Sequence, residues 1–172
     1  DVSCAGIICD IPHNGRTVKA IALPSKQGFL YVLDRNHGNP VWPIPDKKVP
    51  KGNVPGEWYS PTQPMPTTPP PYCKQGVSEA DLIDWTPEIK ARAREIASHY
   101  TMGPLYEPPA FVTDKIFGTL NLPGLQGGSN WPGGSYDPET HMVYLYAKNV
   151  FEITGAVERD GKIYPRRGQP AP

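Results

Sequence analysis

Apolar positions along this chain recur in short alternating runs separated by turn-forming residues, a pattern of strands more than of helices. Ile7 to Ile11 and Thr17 to Leu23 flank Pro12-His13-Asn14-Gly15-Arg16. Asn-Gly tolerates the positive φ angles of a tight hairpin, so these two runs are expected to pair. Gln27-Gly28 then turns the chain into Phe29 to Leu33, which completes a three-stranded meander. Phe29, Tyr31 and Leu33 alternate with Leu30 and Val32, so both faces are apolar and the sheet is expected to be buried on both sides.

Periodicity vanishes from Trp42 to about Tyr72. Prolines at 43, 45, 50, 55, 61, 64, 66 and 69–71 exclude regular helix or central strand there. A stretch this long either covers a site, crosses a surface or serves as a polyproline linker. Trp58, Tyr59, Met65 and Tyr72 give it apolar anchors. Helical signals follow. Ser78-Glu79-Ala80-Asp81 has capping-box spacing, and Thr86-Pro87-Glu88 combines an N-cap with proline at the first helical position. Ile89, Ala93, Ile96, Ala97 and Tyr100 share one face, which predicts a helix near 87–100 stopped by Gly103-Pro104.

Strand character returns at Ile116 to Leu122, then gives way to a glycine-rich loop from Gly124 to Gly134 that carries Asn130 and Trp131. A turn at Asp137 to His141 leads into Met142 to Ala147, and Val157 to Tyr164 surrounds Asp160-Gly161 as one more hairpin. Pro165 to Pro172 carries no structural signal. Asp34 to Gly38 and Asp137 to His141 repeat one device, an acid heading a five-residue turn beside a strand. Short antiparallel strands suggest a sandwich or a propeller, and the repeated turn favours the propeller.

Composition sharpens the picture in two respects. Among 172 residues there are 23 prolines and 17 glycines, yet 10% are aromatic, so the chain is loop-rich with material to bury. Seventeen basic and 17 acidic residues balance, which gives no electrostatic reason to expect nucleic acid or an anionic membrane as partner. No run approaches the roughly 18 apolar residues of a membrane helix, and no targeting leader is visible. Cys4, Cys9 and Cys73 form neither a metal pattern nor an even disulfide framework.

The stretch Lys26-Gln-Gly-Phe-Leu-Tyr-Val-Leu-Asp-Arg35, with Gly38 and Trp42, resembles the pyrroloquinoline quinone (PQQ)-dependent dehydrogenases. The likeness is to the glucose, glycerol and quinate type more than to methanol dehydrogenase. Val54 to Pro64, Gly103 to Pro109 and Gly127 to Thr140 agree with it in the family's order. The resemblance implies an all-β fold, part of an eight-bladed propeller of about two blades. Residues 1–42 would form one blade meander, 43–110 a proline-rich insert with the helix, and 111–172 the next, incomplete blade. The family's blade motif pairs an alanine, an acid and threonine-glycine with a closing tryptophan. Asp34, Gly38 and Trp42 match it, with Val32 and His37 as replacements; Asp137 and Thr140 match in the second copy, where His141 and Leu145 depart.

The resemblance also carries chemistry. A lysine at the position of Lys26 hydrogen-bonds the quinone carbonyls, where reduction places negative charge that a cation stabilises. Without the resemblance, a turn lysine is a solvated surface group. Asn130 matches the asparagine on the same carbonyl edge and Trp131 follows it; Pro132 stands where the family often has glycine. The general base is an aspartate expected just upstream of Asp1, so no catalytic residue is assigned here. Calcium ligands are expected outside the chain, and His13, His37, His99 and His141 show no ligand spacing. The expected parent is a periplasmic quinoprotein, attached to the inner membrane through parts not present here. It would oxidise a sugar, polyol or alcohol and pass electrons to ubiquinone or cytochrome c. This chain would be an internal fragment of it, inactive alone. The alternative is a non-enzymatic propeller module for binding or assembly, for which neither Lys26 nor Asn130 is needed.

Overall fold

The computed structural model describes residues 1–168. Strands come in the order β1 (Ile7–His13), β2 (Arg16–Pro24), β3 (Leu30–Asp34), β4 (Asp46–Lys48) and β5 (Thr62–Pro64). A single turn of 3-10 helix (Glu79–Asp81) and helix α1 (Pro87–Ala97) follow. The remaining strands are β6 (Tyr100–Met102), β7 (Ala110–Phe111), β8 (Gly118–Asn121), β9 (Gly134–Asp137), β10 (Met142–Leu145), β11 (Glu152–Arg159) and β12 (Lys162–Arg167). The chain forms two compact units, each assembled from separated stretches. The first comprises Asp1–Lys47, Gln63–Lys74 and Leu125–Val150; the second comprises Lys48–Thr62, Gln75–Gly124 and Phe151 onward.

In the first unit β1, β2 and β3 form the expected antiparallel meander, with Ile7 opposite Ala22 and Ala22 opposite Val32. Asn14 and Gly15 turn the first hairpin at φ +50° and +73°, the left-handed pair that this dipeptide tolerates. Alternation places Cys9, Val18, Ala20, Ala22, Leu30 and Val32 in one core, where Ala20 and Ala22 are closed off from solvent. The β9–β10 ribbon adds Tyr136, Val143 and Leu145 to it, and Trp42 packs there too, edge-on to His13 with ring centroids 5.4 Å apart. The sheet is not buried on both sides, as its double apolar pattern suggests: Ile8 stays 57% exposed, and Tyr31 and Leu33 are half-buried.

The two acid-headed turns of this unit share one geometry. Asp34 Oδ1 accepts the Asn36 N–H at 2.8 Å, its other oxygen meets His37 at 3.3 Å, and Gly38 follows at φ +77°. Asp137 Oδ1 accepts the Glu139 N–H at 2.9 Å, its other oxygen accepts the Thr140 hydroxyl at 2.6 Å, and His141 follows at φ +57°. These bonds hold both carboxyls below the usual carboxylate range: the Asn36 N–H and then His37 at Asp34, the Thr140 hydroxyl and then the Glu139 N–H at Asp137. His141 adopts the left-handed conformation that Gly38 takes in the first turn, and its ring reaches the Tyr136 hydroxyl at 2.6 Å.

Proline carbonyls organise the proline-rich stretch even though proline nitrogens cannot donate. Pro43 O accepts the Thr67 N–H and hydroxyl, both at 3.0 Å, Pro45 O accepts the Met65 N–H at 3.0 Å, and Pro64 O accepts the Tyr31 hydroxyl at 3.2 Å.

The second unit is built on a sheet ordered β12-β11-β8-β6, with β7 alongside β11. Here the expectation of antiparallel strands is corrected: β6 runs parallel to β8, and β7 parallel to β11. The stretch from Gly103 to Phe117 is long enough for the crossover that a parallel pair requires. Thr119, fully buried, donates its hydroxyl to Pro108 O at 2.8 Å and accepts the Ala110 N–H at 2.9 Å, which ties that crossover down.

Helix α1 begins as its sequence predicts, with the Thr86 hydroxyl accepting the Ile89 N–H at 3.3 Å. The Asp81 carboxylate accepts the Ser78 N–H at 2.8 Å, as the capping box requires. The helix ends at Ala97, however, short of the Tyr100 and Gly103 boundary expected from the apolar stripe. Tyr100 to Met102 instead pair with β8, where His99 stacks on Phe117 and Tyr100 meets the same ring edge-on. Tertiary pairing overrides helical propensity here. The stripe itself stays partly open: Ile89 and Ile96, with Leu120, Phe151 and Ile153, line an apolar groove of about 800 Å³. Pro165 to Arg167, expected to carry no structure, complete β12; the expectation for 169–172 lies outside the described residues.

Candidate functional site

Lys26 sits on a turn between β2 and β3 that is tightly bonded to itself. Ser25, closed off from solvent, donates its hydroxyl to Phe29 O at 2.9 Å and its N–H to the same oxygen at 3.0 Å. The Phe29 N–H returns a bond to the Ser25 hydroxyl at 3.2 Å, and Gly28 N–H closes on Ser25 O at 3.0 Å. Gly28 is at φ +80°, and a β-carbon there would fall 2.6 Å from that of Cys73, so only glycine fits. The Lys26 backbone is held on both sides: its N–H donates to Asp1 O at 3.0 Å, and its carbonyl accepts the Gly128 N–H at 2.8 Å. Its ammonium lies 3.2 Å from Asp1 Oδ2, with the lysine side chain 29% exposed.

The glycine-rich loop lies directly against this turn. Gly127 is at φ +84°, and a β-carbon on it would come within 2.5 Å of Lys26 Cβ and 2.6 Å of Lys26 Cα. Gly128 O accepts the Lys148 N–H at 2.9 Å, and the buried Ser129 donates its hydroxyl to Tyr146 O. Thus the two segments singled out in the sequence, far apart along the chain, meet in one place. Trp131 projects from the loop and is 81% exposed.

Asn130 takes up a position that its sequence does not reveal. One of its amide hydrogens goes to Gln126 O at 2.7 Å, its amide oxygen accepts the Trp131 N–H at 2.9 Å, and its backbone carbonyl accepts the Gly133 N–H at 3.0 Å. Cys4 donates its thiol proton to that same carbonyl at 2.8 Å. The side chain therefore shapes the loop, with the second amide hydrogen outside these bonds. The turn closes through Gly133, so the N–H that Pro132 lacks is not called on.

Two members of the site escape sequence reasoning. Nothing in the spacing of Asp1 announces its contact with Lys26. Tyr72 is legible only as an apolar anchor, but its hydroxyl donates to Ser25 O at 3.1 Å and accepts the Ser25 N–H at 3.2 Å. Burial pushes its phenol above the usual tyrosine value, with hydrogen bonding to the Ser25 backbone opposing the shift, so the group is a neutral donor at physiological pH.

Among the described residues no group of three or more His, Cys, Asp or Glu side chains could hold a metal, and Cys4, Cys9 and Cys73 are free thiols. No described helix is long and apolar enough to cross a membrane. The site offers a cation, an amide, an exposed indole and glycine backbone without β-carbons. That donor set fits a flat ring system bearing carbonyl oxygens, because the cation and amide meet oxygens while glycine allows close approach.

Comparison with known proteins agrees with this fit. Residues 1–170 match the family model described as PQQ, glucose/ethanol/alcohol dehydrogenase, β-propeller domain. The glycerol dehydrogenase large subunit of Gluconobacter oxydans (strain 621H) is 33% identical over 83% of this chain and 19% of its own length. The quinoprotein glucose dehydrogenase of Escherichia coli (strain K12) is 33% identical over 83% of this chain and 17% of its own. The quinate/shikimate dehydrogenase (quinone) of Acinetobacter baylyi (strain ATCC 33305 / BD413 / ADP1) is 32% identical over 83% of this chain and 17% of its own. The chain thus spans less than a fifth of the length of these relatives. No solved structure matches it.

Proposed function

This chain belongs to the family of PQQ-dependent glucose, ethanol and alcohol dehydrogenase β-propellers, and from that premise we propose that it supplies part of the quinone site of a longer quinoprotein. It contributes about two blades joined by the proline-rich insert. The whole enzyme oxidises a sugar, polyol or alcohol in the periplasm, at the inner membrane, and delivers electrons to ubiquinone or cytochrome c. PQQ, when bound, accepts hydride from the substrate. The general base is an aspartate upstream of Asp1, and the calcium that accompanies the cofactor is held by residues outside this chain.

One observation carries the reading: Gly127 and Gly128 hold the Lys26 turn against the loop of Asn130 and Trp131. Blade packing alone gives no reason to bring a cation, an amide and an exposed indole to one place. In this arrangement Lys26 exchanges its bond with the exposed Asp1 carboxylate for one to a quinone carbonyl and stabilises negative charge as it develops. Asn130 offers its second amide hydrogen to the same edge, and the Trp131 face is available to a flat ring.

The test is Lys26→Ala in the full-length polypeptide, loaded with PQQ and calcium and assayed with an artificial electron-accepting dye. Loss of a preorganised donor to a developing oxyanion is expected to cost about 10²–10³-fold in turnover. Wild-type turnover would reject the role given to Lys26.

A further inference from the structure

A single aromatic side chain from the end of the proline-rich stretch grips the turn that presents Lys26. Tyr72 follows Pro69-Pro70-Pro71, whose nitrogens cannot donate, so its own N–H is the first available after that run. That N–H donates to Gly28 O at 3.0 Å. Across the same turn the phenol bonds both the N–H and the carbonyl of Ser25, at 3.2 Å and 3.1 Å. One residue therefore clasps the first and last residues of Ser25-Lys26-Gln27-Gly28.

We propose that Tyr72 is a positioning residue for the quinone contact: its hydroxyl fixes the Lys26 turn and thereby sets where the ammonium points. The proposal rests on the reading of Lys26 as a cofactor contact. Tyr72 bonds the turn backbone, so its effect is transmitted through the turn to Lys26. Its ring has a separate job, since it lines a hollow with Leu30, Trp42 and Leu145. A purely packing tyrosine would be replaced by phenylalanine without consequence for the cofactor. A clasping tyrosine would not, because Tyr72→Phe keeps the ring and removes only the hydroxyl.

The experiment titrates PQQ into the full-length apoprotein in the presence of calcium, with binding followed by the cofactor's absorbance. Tyr72→Phe is expected to raise the Kd about three- to tenfold, the range for one lost hydrogen bond, while the thermal midpoint stays close to wild type. Because the hydroxyl acts through Lys26, the double variant Lys26→Ala/Tyr72→Phe is expected to bind no more weakly than Lys26→Ala alone. A wild-type Kd for Tyr72→Phe, or losses that add in the double variant, would overturn the proposal. A wild-type Kd for Lys26→Ala would instead overturn the cofactor reading itself, and this proposal with it. If Tyr72→Phe does not fold, Ser25→Ala loosens the same turn by removing its hydroxyl bonds with Phe29 and carries the same expectation, and a wild-type Kd for it overturns the clasp.

Discussion

Gly127 leaves no room for a side chain, and that makes it the most demanding single position in the site. Its φ of +84° already penalises any L-residue, and an added β-carbon would press to 2.5 Å on that of Lys26. Gly127→Ala is therefore expected to cost about 1–2 kcal/mol from the backbone conformation alone, and to weaken PQQ binding by displacing the lysine turn. Thermal unfolding and cofactor titration check the two effects separately; an alanine variant as stable and as tightly binding as wild type would contradict this close approach. At this scale the sequence was informative about identity more than contact. Lys26, Asn130 and Trp131 were singled out through a family resemblance, and the structure brings the lysine turn and the Asn130 loop together. That Asn130 would spend an amide hydrogen on Gln126 O was not legible, because it depends on how the loop folds back on itself. Tyr72 was hidden for a related reason, since a phenol in an aperiodic proline-rich stretch gives no sign of which distant backbone it will bond.

Local elements were legible where their own chemistry decides them. The Asn14-Gly15 hairpin, the Thr86 N-cap and the two acid-headed turns all formed as their residues require. Strands of two or three residues, such as β6 and β7, escaped because their partners, not their sequences, make them strands. The paired turns make a prediction about acid stability. Both folded carboxyls titrate below the ordinary value, so the stabilisation they give is present above the unfolded pKa of about 3.9 and is lost as pH falls through the folded one. Asparagine at 34 and 137 keeps the acceptor for the Asn36 and Glu139 N–H groups but no longer titrates. The Asp34→Asn/Asp137→Asn variant should therefore lose stability less steeply below about pH 4, as measured by unfolding free energy between pH 6 and pH 2. An unchanged slope would mean that these turns contribute nothing to the acid limb.

Across the whole molecule, the core of the first unit is narrow and depends on few large side chains. Leu30 packs there among Cys9, Ala20, Ala22 and Val32, so Leu30→Ala is expected to cost about 2–5 kcal/mol through lost burial and the cavity left behind. Chemical denaturation of the full-length protein measures this, and a loss well under 1 kcal/mol would show that the site can collapse around the gap. The three-stranded meander was readable from alternation, whereas the mixed sheet of the second unit was not, since parallel pairing is arranged by segments far apart along the chain. The division into two units has a consequence for the order in which they are made. The first unit needs Leu125–Val150 to complete it, and Gln75–Gly124 of the other unit is translated in between. A chain emerging from the ribosome must therefore hold the early meander, with its apolar face unclosed, until those last strands arrive. Its folding depends on contacts distant in sequence, a slow class that leaves unpaired strand edges exposed to aggregation.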